Sequence, residues 1–287
     1  MESRLTPYQA VPLIECTAVL VFAPHPDDET LGCGGLLAAC HVAGTPTHAI
    51  IVTSGDFGEH GKVGSAAREA ETRAAADVLG IGTVQFWREP DRGVACDERT
   101  IAAARQAILD TNADLILAPS FHEIHPDHRA TAWIVIEATR RLAEEGRNLR
   151  LAMYEVGAPL HRVDVLVDIT AHESAKRAAV AKYVSQLSIQ PYDAVIFSLN
   201  HYRTYTLPAS VKYAEAFCIL DADVLKDPAR ITEAELLRQE RLGLVTVGMP
   251  EWLKEAGLTG AGLKGAGLKG AGVKEGSLLD RLWRRKK

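Results

Sequence analysis

Four short apolar runs, each separated from the next by a helix-like stretch, constrain this chain more than any other feature. Ala18 to Ala23 (AVLVFA), Ala49 to Thr53 (AIIVT), Thr83 to Trp87 (TVQFW) and Asp114 to Ala118 (DLILA) are short apolar segments with β-branched residues. Such runs mark parallel strands covered on both faces. Ser65 to Leu79, with Gly80 as its stop, and Glu98 to Leu109 read as helices, and Arg129 to Glu145 follows the fourth run. The alternation predicts an α/β fold: a Rossmann-like, doubly wound, mostly parallel sheet with helices on both faces and right-handed crossovers. Its first four strands are expected in the order 3-2-1-4. Leu151 to Val156, Val163 to Ile169 and Tyr213 to Leu220 read as later strands, with Thr170 as the N-cap of a helix that includes Lys176 to Tyr183.

Composition excludes several alternatives. A hydrophobic content of 47% over 287 residues supports a substantial core. Lys and Arg total 32 against 37 Asp and Glu, so the net charge of −5 offers no general basic field for nucleic acid. The five cysteines include no C-x-x-C pair, which argues against a disulfide framework and a thiolate zinc site and fits a reducing, cytoplasmic setting. No apolar run approaches the roughly 18 residues of a spanning helix, and no secretory leader is expected.

Two strand ends concentrate the chemistry. The first strand runs into Pro24-His25-Pro26-Asp27-Asp28-Glu29, one imidazole and three carboxylates at the start of a helix expected to begin near Asp27 or Asp28. A helix N-terminus accounts for one or two acids through its dipole, but not for a histidine between prolines. The fourth strand runs into His122-Glu123-Ile124-His125-Pro126-Asp127-His128. In the order 3-2-1-4 these two strand ends are neighbours facing one crevice. His25, Asp28 and His128 suit a catalytic zinc with an open fourth position, Asp27 is the natural base, and His125, oriented by Asp127, suits an oxyanion stabiliser. Spacing alone leaves open which of His122, His125 and His128 ligates metal, because Pro126 is expected to make the local backbone irregular.

The H-P-D-D-E stretch at His25 to Glu29 and the H-P-D-H stretch at His125 to His128 resemble the paired motifs of the PIG-L/LmbE-like zinc de-N-acetylases. The resemblance extends over Ala18 to Leu220 and includes Arg68 to Leu79 and Tyr183 to Gln186. It implies His25, Asp28 and His128 as ligands of one Zn2+, Asp27 as general base, and His125 as electrophilic stabiliser backed by Asp127; the nitrogen and carboxylate donors themselves also accommodate Fe2+ or Co2+. It also implies removal of an acetyl group from an N-acetylglucosamine-like sugar conjugate, and a substrate-facing Arg68. The bland alternative for Arg68 is a surface arginine paired with Glu71.

Competing readings are a dinucleotide-binding module and a non-catalytic zinc-binding protein on the same fold. Against the first, Gly32, Gly34 and Gly35 fall inside the expected helix, where they serve close packing, and carboxylates occupy the turn a pyrophosphate would need. Cys33 reads as a small buried residue, and Trp87, Trp133 and Phe121 read as core.

The expected organisation is an N-terminal extension at 1–16, the deacetylase domain at 17–222, a helical extension at 223–256 with a capping box at Thr232 and Glu235, a Gly-rich linker at 257–276 and a basic amphipathic tip at 277–287. The tip reads either as a frayed, soluble terminus or as a segment in weak, salt-sensitive contact with an anionic membrane at the inner face.

Overall fold

In the computed structural model of the protein, residues 6–56 and 64–226 are described. β1 (Val19–Ala23), α1 (Asp28–Val42), β2 (Thr47–Thr53), α2 (Ser65–Leu79), β3 (Thr83–Glu89), α3 (Glu98–Thr111), β4 (Leu115–Pro119) and α4 (Pro126–Glu144) follow in strict alternation. β5 (Arg150–Tyr154), β6 (Val165–Asp168), α5 (Glu173–Val180), α6 (Val184–Leu187), α7 (Tyr192–Tyr202), β7 (Ala214–Leu220) and α8 (Ala222–Leu225) complete the described chain. The strands form one seven-stranded sheet in the order β3-β2-β1-β4-β5-β7-β6. The expected 3-2-1-4 core is present. β3 through β5 are parallel, and β7 runs antiparallel to both its neighbours.

β1 shows why the apolar runs lack strand-like alternation. All five residues are buried, because Leu20 and Phe22 enter one core while Val19 and Val21 enter the other. Ile101 and Ile108 of α3 and Ile134 and Leu142 of α4 pack in the first core. Leu36 and Leu37 of α1 and Leu79 of α2 pack in the second. α1 and α4, which follow adjacent strands, therefore lie on opposite faces, and the loops that start them meet at the carboxyl edge of the sheet.

α1 is broken in its middle at Cys33 (φ −141°, ψ 19°). A Cβ on Gly32 would stand 2.3 Å from the Tyr154 ring, and one on Gly35 would stand 2.4 Å from Ile169 Cγ2. The glycines thus let the helix approach these side chains, as their position suggested. The Gly35 and Leu36 amides at the break donate to the Glu215 carboxylate at 2.7 and 2.8 Å. Lys176, fully buried, donates to Glu215 Oε1, Leu31 O and Asn200 Oδ1 at 2.7, 2.8 and 3.0 Å. Every member of this buried ion pair is hydrogen-bonded, the condition under which burying charge is tolerable.

Several boundaries differ from expectation. α4 begins at Pro126, three residues before Arg129. Pro126 occupies the first helical turn, where its missing N–H costs nothing, so it initiates regular structure where an irregular backbone was expected. Thr170 is not a cap: its hydroxyl accepts from Lys212 N at 2.9 Å, and His172 is the N-cap of α5. α5 ends at Val180, so Tyr183 lies beyond it. Within the expected N-terminal extension, Val11 bridges Val167 and lies along the edge strand β6, protecting it from further pairing. The capping box at Thr232, the linker at 257–276 and the tip at 277–287 lie outside the described residues, as does 223–256 beyond Lys226. Among the described residues no helix is long and apolar enough to cross a membrane.

Candidate active site

The loops after β1 and β4 line one cleft of about 700 Å³, together with residues from the loops after β3 and β5 and from the α6–α7 segment. His25, Asp27, Asp28, Arg68, His125 and His128 all face it. His122 does not; its ring packs 4.4 Å from Phe121 and 5.6 Å from His161. Phe121 stacks on Trp133 at 5.0 Å in the core, and Trp87 packs edge-on to Phe22. Cys33 is buried, its thiol donating to Glu29 O, and burial pushes its pKa well up, so it is not a nucleophile.

His25 Nδ1, His128 Nε2 and Asp28 Oδ2 form a triangle with edges of 3.2, 3.1 and 3.2 Å. Ligand atoms on a tetrahedral zinc, about 2.0–2.1 Å from the ion, stand about 3.3–3.4 Å apart. Two imidazole nitrogens and a carboxylate oxygen at this separation fit one divalent metal. Burial works against charge on His128 but the Asp28 carboxylate overcomes it, raising its pKa to about 9. Burial likewise opposes ionisation of Asp28, yet His128 and His25 hold its pKa far below the ordinary value. His25 sits well above its ordinary value, because Asp127, Asp28 and Asp91 outweigh its burial. The cluster is charged and mutually attracted, and metal would replace protons there.

Asp27 is the N-cap of α1 with φ 132° and ψ −26°, a strained conformation for a residue with a side chain. Its amide donates to Glu29 Oε2 at 3.3 Å. Glu29, fully buried, also accepts from the Thr30 hydroxyl at 2.8 Å and from the Tyr183 hydroxyl. On the other side the Arg68 guanidinium donates to Pro26 O at 2.6 Å and Gly55 O at 2.7 Å, and lies 3.5 Å from Asp27 Oδ2. Burial, then the Asp28 charge, push the Asp27 pKa up to about 8, against Arg68 and His25. The surface pairing of Arg68 with Glu71 is overturned: Arg68 is 5% exposed, and Glu71 accepts from the Ser185 amide and hydroxyl instead.

His125 is the N-cap of α4, and its Nδ1 accepts from the Asp127 amide at 3.3 Å. That bond assigns the proton of the neutral ring to Nε2. Burial, then His25 and His128, lower its pKa and keep the ring neutral. Asp127 therefore orients His125 through its backbone N–H. Its carboxylate is 3.8 Å from His125 Nδ1 but 3.3 Å from His25 Nε2, and it accepts from the Arg92 and Val94 amides at 2.6 and 3.2 Å.

Sequence reasoning passed over Asp91, 3.7 Å from His25 Nε2, and the wall residues Arg92, Gln190 and Tyr192, and gave no role to Gln186, which ends the stretch Tyr183 to Gln186. Asp91 follows β3 at the same carboxyl edge, and that topological rule was the available signal. Gln186 to Tyr192 come from short segments that approach only in the folded chain. Gly32 and Gly35 are packed under Tyr154 and Ile169, a close-packing use that argues against the dinucleotide reading.

The sequence model of the family PIG-L, described as GlcNAc-PI de-N-acetylase, matches residues 20–139. A probable N-acetyl-alpha-D-glucosaminyl L-malate deacetylase 2 of Bacillus cereus is 30% identical over 141 residues, 45% of this chain. The chain spans 64% of that relative's length. The crystal structure of the conserved protein TT1542 from Thermus thermophilus superposes with a TM-score of 0.62 at 31% identity, covering 70% of this chain and 93% of that one. N,N'-diacetylchitobiose deacetylase from Pyrococcus horikoshii shares the fold, with a TM-score of 0.63 at 22% identity over 74% of this chain and 86% of its own. With both motifs meeting in one cleft at the carboxyl edge of the sheet, these matches make the chain a member of the PIG-L/LmbE-like family.

Proposed function

We propose that the protein is a metal-dependent hydrolase that removes the acetyl group from an N-acetylglucosamine-like sugar conjugate. The observation that carries this reading is the triangle of His25, Asp28 and His128 with the carboxyl of Asp27 beside it in the cleft. His25 and His128 supply nitrogen and Asp28 oxygen, a donor set that suits zinc and is compatible with ferrous iron or cobalt. When bound, such an ion lowers the pKa of a water and polarises a carbonyl.

The chain's own residues supply the rest. Asp27, with its proton affinity raised towards neutrality, accepts the proton of the attacking water and returns it to the departing amine. The Glu29 and Arg68 contacts hold it in the one backbone conformation that serves the site. His125 offers Nε2–H to the oxyanion as it forms on the acetyl oxygen. Arg68, Asp91, Gln186, Gln190 and Tyr192 give the cleft a set of donors and acceptors suited to sugar hydroxyls, and its volume suits a sugar with a modest aglycone. The deacetylases named above add to this reading by kinship.

A panel of N-acetylated amino sugars, assayed for free amine with metal-loaded protein, tests the proposal. Amine release by the wild type and its loss in Asp27→Asn at equal metal content is the expected result. Metal uptake with no amine from any member of the panel would favour the non-catalytic metal-binding reading.

A further inference from the structure

His128 is 6% exposed, and its Nδ1 is a buried polar atom without a hydrogen-bond partner. Glu123 Oε2 stands 3.6 Å from it, longer than a hydrogen bond but facing that edge of the ring. Glu123 is itself 2% exposed and carries no role so far. Its carboxylate accepts from the amides of Val156 and Gly157 at 2.8 and 3.0 Å, in the segment that follows β5 and lines the cleft. We infer that Glu123 is the positioning residue of His128: anchored to the cleft wall, it keeps the imidazole proton on Nδ1 and leaves Nε2 to the metal. This rests on the functional reading above and extends it to a buried residue of the cleft wall outside the proposed ligand set.

The chemistry requires a carboxylate. An ionised carboxylate only accepts, so one group can serve two amides on one side and an imidazole N–H on the other. A glutamine has one acceptor and one donor. With its carbonyl on the Val156 and Gly157 amides, its NH2 would face His128 Nδ1 and favour the proton on Nε2, where the metal must bind. Gly157 matters for the same reason. A Cβ there would stand 2.9 Å from Glu123 Oε2, so Gly157→Ala displaces the carboxylate without removing a donor or an acceptor.

The test is zinc affinity of the full-length protein, measured by competition with a chromogenic chelator for the wild type, Glu123→Gln and Gly157→Ala. A nitrogen-15 spectrum of the zinc-loaded histidine rings accompanies it. The expected result is zinc binding weakened about 10- to 100-fold in Glu123→Gln, a smaller loss in Gly157→Ala, and His128 carrying its proton on Nδ1 in the loaded wild type. A folded Glu123→Gln protein with wild-type zinc affinity overturns the inference, as does zinc on His128 Nδ1. Should Glu123→Gln not fold, wild-type affinity in Gly157→Ala overturns it. A wild type that takes up zinc and releases amine beside an unaffected variant removes this inference alone, whereas a wild type that takes up no zinc removes the functional reading with it.

Discussion

The β1–α1 loop holds its acids by enclosing them in donors, whereas the β4–α4 loop uses its acids to hold other loops. In the first, Glu29 collects the Asp27 amide and the hydroxyls of Thr30 and Tyr183, Arg68 fastens Pro26, and Glu215 satisfies the break in α1. In the second, Asp127 takes amides from the loop after β3 and Glu123 takes amides from the segment after β5. In the proposed site the first loop supplies two ligands and the base. The second supplies one ligand and gathers the cleft walls around it, so substitutions of Asp127 or Glu123 there should disturb metal and substrate together.

The largest effect is expected where the two loops meet. His128→Ala should lose stoichiometric metal and all measurable deacetylation, read by elemental analysis and amine release. Next, Asp27→Asn should keep the metal and lose about 10²- to 10⁴-fold in turnover, because an amide cannot take the proton. Unchanged turnover at equal metal content would place the base elsewhere. His125→Ala should cost less, about 10²-fold, with metal retained, since it removes a donor to the transition state alone. The first loop's scaffold can be broken separately. Gly35→Ala should lower stability by about 1–3 kcal/mol in chemical denaturation, because a Cβ would collide with Ile169 at its branched carbon. A neutral outcome would mean that α1 is free to shift.

The smallest effect concerns the anchoring of β1 itself. The Asp114 carboxylate accepts from the Thr17 amide and hydroxyl and from the Ala18 amide at 2.7, 2.9 and 3.1 Å. Partial burial opposes its charge, but the Ala18 and Thr17 donors prevail and its pKa is lowered. A carboxyl with a depressed folded pKa stabilises fully above its unfolded value of about 3.9, and loses that contribution as pH falls through the folded value. Asp114→Asn should therefore flatten the acid limb of the stability profile and leave metal binding and turnover unchanged.

Much of this was legible in the sequence because it is local. α2 spans Ser65–Leu79 with Gly80 in the left-handed conformation as its stop, residue for residue as its pattern suggests. The βα alternation and the carboxyl-edge rule brought His25 and His128 together across the chain. What escaped depends on distant partners. Nothing local distinguishes a continuous α1 from one broken at Cys33; Tyr154, Ile169 and Glu215 decide it. Thr170 looked like a cap because its neighbours are helix-like, but the approach of Lys212 gives its hydroxyl another partner. Glu123 was in plain view between His122 and His125, yet its use depends on the Val156 and Gly157 amides, which only the folded chain supplies.

The two loops also present two rival ligand groups, because His25 has a nitrogen on each side. His25 Nδ1 joins Asp28 and His128, while His25 lies with Asp91, His125 and Asp127 in a second group able to hold an ion. Asp127 already serves two amides there, which favours the first triangle as the proposed metal site. Anomalous diffraction at the zinc edge from metal-loaded crystals decides between them. The account predicts one peak per chain, about 2.0–2.2 Å from His25 Nδ1, Asp28 Oδ2 and His128 Nε2. A peak beside His25 Nε2, Asp91 and Asp127 would contradict it.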